Sequence, residues 1–215
     1  ANYGLVSRSG TPHGTPIGAS PAGHVVPGNG VLTAIENGWP KARHQAYEDA
    51  LAYLRANPGG PQWATRGPPG EPPWRMTRSG SAGRFTADAR AKFRRHEPGT
   101  AALLLAEGND IHQLAEDPTT QNADLLIAGH RVELKALTSG RIESALSSIR
   151  RSVGRAGQAR NIVYDFRGTG VSESQASAIR QRLLGNPGFD RHKLDFLRIL
   201  GDEYDLTWDF RPAST

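Results

Sequence analysis

The sequence predicts an α/β fold: a mixed β-sheet flanked by helices, with a Gly/Pro-rich, partly helical N-terminal region ahead of it. Helical and strand periodicities alternate from about residue 98 onward, and a short hairpin signal lies among them. The 25 Gly and 15 Pro are concentrated in the first hundred residues, where the periodicity is weak. We therefore expect two regions, 1–97 and 98–215.

The N-terminal region contains few predicted elements. Residues 1–40 are expected to be irregular, because Gly, Pro, Ser and Thr follow one another there without a period. A helix then ends at Asn57-Pro58-Gly59, since apolar residues before it share one helical face. Thr86 is predicted to cap a short helix that runs to about His96. The face of the earlier helix carries Ala46, Tyr47, Ala50, Leu51 and Leu54.

Regular elements follow one another after Pro98. Thr100 is predicted to cap a helix over 101–116, which is followed by two short strands joined by a tight turn at Gly129-His130. Apolar residues at helical spacing predict a helix over 142–153, and Gly185-Asn186-Pro187 ends another over 173–184. The remaining predicted strands lie at 161–166, 194–200 and 204–210.

Composition and charge exclude some classes of protein and favour others. No apolar run approaches the roughly 20 residues of a membrane-spanning helix. The absence of Cys excludes disulfide scaffolds, thiolate zinc sites and Cys nucleophiles. Residues 1–100 hold 12 Lys and Arg against 6 Asp and Glu, and the net charge of the chain is +5. This asymmetry suits a polyanion-binding face, although a compositional bias toward Arg gives the same excess.

A tight turn at Gly129-His130 predicts two acids and a lysine on one face of the strand pair. In that register Asp124 faces Lys135 and Leu126 faces Glu133. One interpretation is a solvated face with an ordinary cross-strand pair. The other is a metal site, because carboxylates among apolar neighbours need a counter-ion, and Glu107 lies in the apolar face of the preceding helix. The opposite strand face would be core: Leu125, Ile127, Val132 and Leu134.

These residues resemble the PD-(D/E)xK nuclease superfamily: Asp124 on a first strand, then Glu133-Leu134-Lys135 on a second. The following stretch, RIESALSSIRRSVGRAGQARNIVYDF, is similar to C-terminal toxin domains of contact-dependent growth inhibition and related polymorphic toxin systems. The resemblance covers roughly 98–211 and implies a restriction-endonuclease-like sheet. The chain departs from the type pattern in having Asn122-Ala123 and no Pro before Asp124.

The resemblance implies a site and a cofactor. Glu107, Asp124 and Glu133 would bind a divalent metal, with Mg²⁺ or Mn²⁺ favoured and Zn²⁺ a further option. Lys135 would orient the attacking water or stabilise charge on the phosphate, and Gln158 would lie at the edge of the site. Five arginines between 140 and 160 are candidate nucleic-acid contacts, with a solvated helix face as the alternative for each: Arg141, Arg150, Arg151, Arg155 and Arg160.

The implied function is a secreted antibacterial toxin, a metal-dependent endonuclease used in bacterial competition. RNA, with tRNA first, is the expected substrate, and DNA is the second. The toxin would leave its producer as part of a larger polypeptide, act in the target-cell cytoplasm and be neutralised by a cognate immunity protein. Two alternatives stay open: a restriction- or repair-type nuclease that is not a toxin, and a non-catalytic nucleic-acid-binding module.

Overall fold

The computed structural model describes residues 40–59, 71–74, 82–94, 96–116, 123–154 and 159–212. Nearly all of the stretch predicted to be irregular, 1–40, lies outside these ranges. The helices are α1 (Pro40–Arg55), α2 (Glu97–Ala106), α3 (Ile142–Gly154) and α4 (Glu173–Leu184), with a short 3₁₀ helix at Arg191–Lys193. The strands are β1 (Phe85–Ala87), β2 (Ile111–Gln113), β3 (Leu125–Ile127), β4 (His130–Ala136), β5 (Asn161–Asp165), β6 (Phe196–Leu200) and β7 (Asp205–Asp209).

The seven strands of the described ranges form one mixed sheet, in the order β1-β2-β3-β4-β5-β6-β7. The pairs β1–β2, β4–β5 and β5–β6 are parallel, and the other three are antiparallel. The parallel pairs β4–β5 and β5–β6 are connected through α3 and α4, as parallel neighbours require a crossover. The predicted α/β class, a mixed sheet flanked by helices, is confirmed.

Helices α1 and α2 belong to the core on one face of the sheet. Helix α2 is apolar around its whole circumference, and Leu103, Leu104 and Leu105 are each fully buried. Helix α1 packs against it, and Trp74 lies in the same core. Residues on both sides of position 97 therefore share one core, while the division into regions 1–97 and 98–215 stays a prediction.

Helices α3 and α4 cover the other face over β5, β6 and β7. Their apolar residues pack on the side chains of Ile162, Tyr164, Leu197 and Ile199. Helix α4 begins with a capping box, in which Ser172 and Gln175 each accept a hydrogen bond from the main-chain N–H of the other. The predicted helices over 142–153 and 173–184 are confirmed. Among the described residues there is no helix with the length and hydropathy to span a bilayer.

Two predicted helices are wrong in whole or in part. Phe85–Ala87 forms β1, so the helix predicted from Thr86 to about His96 is absent. The helix predicted over 101–116 starts earlier and ends at Ala106, and Ile111–Gln113 is a strand instead. Gly108, with φ of 90°, directs the chain away from the helix. Three-residue strands are stabilised by pairing with distant strands, and the local period of the sequence does not show that pairing.

Candidate functional site

The hairpin of β3 and β4 turns one residue earlier than the sequence predicts. Ile127 pairs with His130, so the turn is Ala128-Gly129 and the predicted cross-strand partners are wrong. Both turn residues have positive φ, 50° at Ala128 and 77° at Gly129, as in a type I′ turn. Moving a two-residue turn by one position shifts the partners by two, so each side chain keeps its predicted face. The expected core face is confirmed, with Leu125, Ile127, Val132 and Leu134 buried.

Asp124, Glu133 and Lys135 lie close together where β3 begins beside β4. Asp124 stands one position before β3, which places it level with Glu133 rather than with Lys135. Its Oδ2 atom accepts a hydrogen bond of 2.6 Å from the main-chain N–H of Leu134. Lys135 Nζ donates to Glu133 Oε1 at 2.7 Å, and these two side chains are 17% and 11% exposed. The hairpin therefore holds two carboxylates beside one ammonium.

A third carboxylate, Glu97 in the first turn of α2, joins this group. Burial raises the pKa of Glu97 to about 7, against the effect of the Arg94 N–H, which donates to Glu97 Oε2 at 2.6 Å. The nearby charges of Glu133 and Glu116 raise it further. The pKa of Asp124 also lies well above its usual value because of burial and the charges of Glu133 and Glu97. Three carboxylates thus repel one another in a largely buried place, which we call the acid cluster: Glu97, Asp124 and Glu133.

Glu97 is absent from the residues that the sequence reasoning selects, although a local signal was present. Pro is favoured in the first turn of a helix, and acidic residues are favoured there too. The pair Glu97-Pro98 therefore marks a helix start more accurately than Thr100 does. Nothing in the sequence shows that this helix start lies beside Asp124, because that proximity arises from tertiary packing.

Glu107 is not brought to the acid cluster, contrary to expectation. It stands at the end of α2, ten residues after Glu97, and a helix of that length separates its ends by about 15 Å. Its two carboxylate oxygens accept hydrogen bonds of 2.7 and 2.8 Å from the guanidinium of Arg198. Arg198 also binds Asp205, and Arg198 and Glu107 are buried. Glu107 therefore belongs to a buried ion pair on the core side of the sheet.

A hydrogen-bonded chain of three side chains lies next to the acid cluster on the sheet, level with Leu126, which is two residues after Asp124. Thr86 Oγ1 and His112 Nδ1 are 2.8 Å apart, and His112 Nε2 lies 2.8 Å from Asp88 Oδ1. Thr86, His112 and Leu126 are consecutive partners across β1, β2 and β3, so they share the face of Asp124. His112 is on a strand, not on the helix of Glu107, and its contacts tie β1 to β2.

The candidate nucleic-acid contacts fall into three groups. Arg141, Arg150 and Arg151 are exposed, on α3 or just before it. Arg160 is engaged within the chain, because its guanidinium binds both oxygens of Asp195 at 2.8 and 2.9 Å. Arg155 and the proposed edge residue Gln158 lie outside the described residues. The three exposed arginines form a basic surface along α3. Arg160 is less available to bind a phosphate than expected, because it is paired with Asp195.

The acid cluster has the chemistry of a divalent-metal site, although its side chains are not arranged as a closed ligand set. Within the described ranges, no three His, Asp or Glu side chains are positioned together as metal ligands. Carboxylate oxygens are nevertheless the donors that Mg²⁺ and Mn²⁺ prefer. The raised pKa values of Glu97 and Asp124 show that their ionised forms lack compensation, which a bound cation would supply. The residues therefore fit a cation in charge and ligand type.

The sheet, its flanking helices and the acid cluster define a mixed α/β domain with a carboxylate-rich hairpin site. Residues 121–202 match the family described as contact-dependent growth inhibition CdiA C-terminal domain. This match covers less than half of the chain, and over its length it supports a toxin domain of contact-dependent growth inhibition. It includes Asp124, Glu133 and Lys135, and Glu97 lies before it.

One solved structure that the chain resembles is the CdiA-CT/CdiI toxin and immunity complex from Burkholderia pseudomallei. The identity is 19% and the TM-score 0.44, over 58% of this chain and 98% of that one. No curated protein matches the chain.

Proposed function

We propose that the protein is an antibacterial toxin domain that cleaves nucleic acid with a divalent metal bound at the acid cluster. One observation carries the proposal: Glu97 and Asp124 are buried close enough to Glu133 that its charge raises the pKa of both, and Lys135 donates a hydrogen bond to Glu133. Carboxyl groups whose pKa is perturbed by burial together with specific charged neighbours are candidates for a functional site. The match of 121–202 to the growth-inhibition family supports the toxin role.

The residues of the acid cluster would bind the metal, and the neighbouring Lys135 would stabilise charge on the phosphate. Asp124 and Glu133 would hold Mg²⁺ or Mn²⁺, the main-chain carbonyl of Leu134 would be a further ligand, and Glu97 would complete the set in place of Glu107. A bound cation of this kind polarises the phosphate and lowers the pKa of a coordinated water. Lys135 would place its ammonium against charge that develops on the phosphate. Glu97 accepts the Arg94 N–H at Oε2, and a bound cation would favour the ionised form of this carboxyl group.

Cleavage of purified tRNA and plasmid DNA tests the chemistry. We expect cleavage with Mg²⁺ or Mn²⁺, none with EDTA, and loss of cleavage in Asp124→Asn and Glu133→Gln. Glu143→Gln is the matched control, because Glu143 is an exposed acid on α3 that pairs with Arg182. Full cleavage by the two site variants would refute the proposal. Binding without cleavage in the wild-type protein would identify a non-catalytic binding module instead.

We propose tRNA as the first substrate and DNA as the second, in keeping with the resemblance to polymorphic toxin domains. The five donors of an arginine guanidinium suit phosphate in either nucleic acid, so the exposed Arg141, Arg150 and Arg151 do not decide between them. Mapping of the product ends decides, since a tRNA-specific enzyme gives discrete fragments of tRNA while plasmid stays intact.

The biological setting we propose is delivery from a producer into the cytoplasm of a target cell. The producer would then need a partner protein that neutralises the activity, an immunity protein. Expression of the chain without any inhibitor should arrest bacterial growth, and Glu133→Gln should relieve the arrest. Growth at the normal rate with active enzyme in the cell would favour a restriction- or repair-type nuclease.

A further inference from the structure

A groove lies between α3 and the end of α4, and no residue of the hairpin is among its lining residues. It has a volume of about 290 Å³. Leu146 and Leu183 contribute apolar surface, and Pro187 closes the end after α4. The polar side chains that line it are Arg150, Arg182 and Asn186.

The polar side chains of the groove offer hydrogen-bond donors. Asn186 Oδ1 already accepts the Gly188 N–H at 2.9 Å, which leaves its amide –NH₂ group as a donor. Arginine has donors only. At the end of α4 the carbonyls of Gln181 and Leu183 are used by the cap, since they accept the main-chain N–H groups of Gly185 and Asn186 respectively. A ligand that satisfies this lining must bring acceptors, and two guanidinium groups favour one that carries negative charge.

Arg182 shares its charge with one neighbour. Its NH1 atom donates to Glu143 at 2.9 Å, but both side chains are well exposed, at 45% and 65%. Exposed pairs of this kind are weak and exchange partners readily. Arg150 makes only a long contact of 3.4 Å, from Nε to its own helix at the Leu146 carbonyl. Among the described contacts, none prevents both guanidinium groups from turning to an incoming anion.

We propose that this groove binds a backbone phosphate of the nucleic-acid substrate, outside the acid cluster; the inference rests on the proposed nuclease function. Phosphate oxygens are acceptors only, which matches the donors of the lining. Arg150 stands on α3 with the exposed Arg151, and α3 follows directly from β4, which carries Glu133 and Lys135. The helix that directly follows the strand of Glu133 and Lys135 therefore carries one wall of the groove, through Leu146 and Arg150.

Binding of tRNA measures this contact apart from catalysis. In a Glu133→Gln background, dissociation constants are taken by fluorescence anisotropy at several salt concentrations for Arg150→Gln, Arg182→Gln and the control Arg180→Gln. Arg180 is exposed on the same helix as Arg182 but does not line the groove. We expect the two groove variants to bind roughly 3- to 10-fold more weakly, each with a salt slope smaller by about one, and the control to change less than twofold.

Equal affinities and slopes for all three variants would overturn the proposal, and the exposed Leu184 beside the groove would then point to a protein partner. Failure of the proposed function is a separate result, read from cleavage by the wild-type protein. If the wild type cleaves nothing but the arginine dependence of binding persists, the groove assignment stands and the nuclease assignment falls. Circular dichroism of each variant verifies that it is folded.

Discussion

The two ends of helix α2 place a glutamate in opposite electrostatic situations. At the C-terminal end, Glu107 binds Arg198, and the same guanidinium binds Asp205 at 2.8 and 3.0 Å. At the N-terminal end, Glu97 meets Asp124 and Glu133. A buried acid that is paired with arginine is part of the structure. Acids that are buried beside each other repel, and a bound cation would offset this repulsion. The N-terminal end is therefore the better candidate site.

The pKa shifts at the two ends of α2 also have different causes. Burial alone would lower the pKa of Arg198, but the charges of Glu107 and Asp205 raise it above its ordinary value. A second paired acid, Asp165, binds Arg167 in the same way, with two contacts of 2.7 Å. At the acid cluster the pKa of Glu97 is raised mainly by burial, and the like charges of Glu133 and Glu116 add to this against the opposing charge of Arg94, so the ionised form is disfavoured. Charge complementarity therefore separates the structural acids from the functional candidates.

The largest effect is expected at the paired end. Arg198→Met removes the cation that faces the buried carboxylate of Glu107 and the half-buried carboxylate of Asp205, and we expect the free energy of unfolding to fall by about 3–5 kcal/mol. Urea denaturation measures the change. Adding Glu107→Leu should restore part of the loss, because it removes one of the two carboxylates that Arg198 had bound. A loss below 1 kcal/mol would mean that the network contributes little to the fold.

At the acid cluster the expected effect is on catalysis. Lys135→Ala removes the ammonium from Glu133, and we expect the single-turnover cleavage rate to fall by about 10²–10³-fold, or roughly 3–4 kcal/mol of transition-state stabilisation. The unfolding free energy should fall as well, because the largely buried Glu133 loses its partner, so the rates are compared on variants shown to be folded. Lys193→Ala is the control, since Lys193 is an exposed lysine on the 3₁₀ helix. Equal rates for the two variants would exclude Lys135 from the chemistry.

Local patterns predicted the hairpin face but not the helix that meets it. The alternation of Leu125, Ile127, Val132 and Leu134 placed the acids of β3 and β4 on one face even with the turn misplaced by one residue. Glu107 lies with Arg198 and not with the other acids, for a physical reason: a glutamate in an apolar helix face indicates burial, and burial with an arginine looks the same in sequence as burial with a metal. Arg198 lies 91 residues away from Glu107 in the chain.

The first two strands show the same limit. β1 and β2 have three residues each, which is too short for an alternating pattern to be distinguished from a helical one. The later helices were predicted correctly because their apolar spacing continues over three turns, as in α3 with Ala145, Leu146 and Ile149. Long periodic segments are therefore read from the sequence, while short strands depend on partners far along the chain.

The raised pKa of Glu97 predicts that the stability of the folded protein depends on pH. The unfolded carboxyl ionises near 4.5 and the folded one near 7, so below 4.5 both states are protonated and the group has no effect. Between these values the unfolded state releases its proton first, and stability falls with rising pH. Above 7 the loss is complete, at roughly 3 kcal/mol or less.

Glu97→Gln should remove this dependence, so it should stabilise the metal-free protein at pH 8 and leave it unchanged at pH 4. Urea denaturation at the two pH values, with EDTA present, measures both. Adding Mg²⁺ to the wild-type protein at pH 8 should restore stability, since a ligand that binds the folded state raises the free energy of unfolding. Destabilisation by Glu97→Gln at pH 8 would show that Glu97 has a structural partner after all.

The smallest effect is expected at Arg160, whose pair with Asp195 resembles that of Arg198 in geometry but not in burial. Arg160 is 55% exposed, and exposed pairs contribute about 0.2–1 kcal/mol. Arg160→Met should therefore lower the free energy of unfolding by less than 1 kcal/mol. Because Asp195 already neutralises this guanidinium, its loss should weaken tRNA binding less than the loss of the exposed Arg151. Anisotropy titrations of the two variants compare them, and a larger loss of affinity for Arg160→Met would show that nucleic acid displaces Asp195.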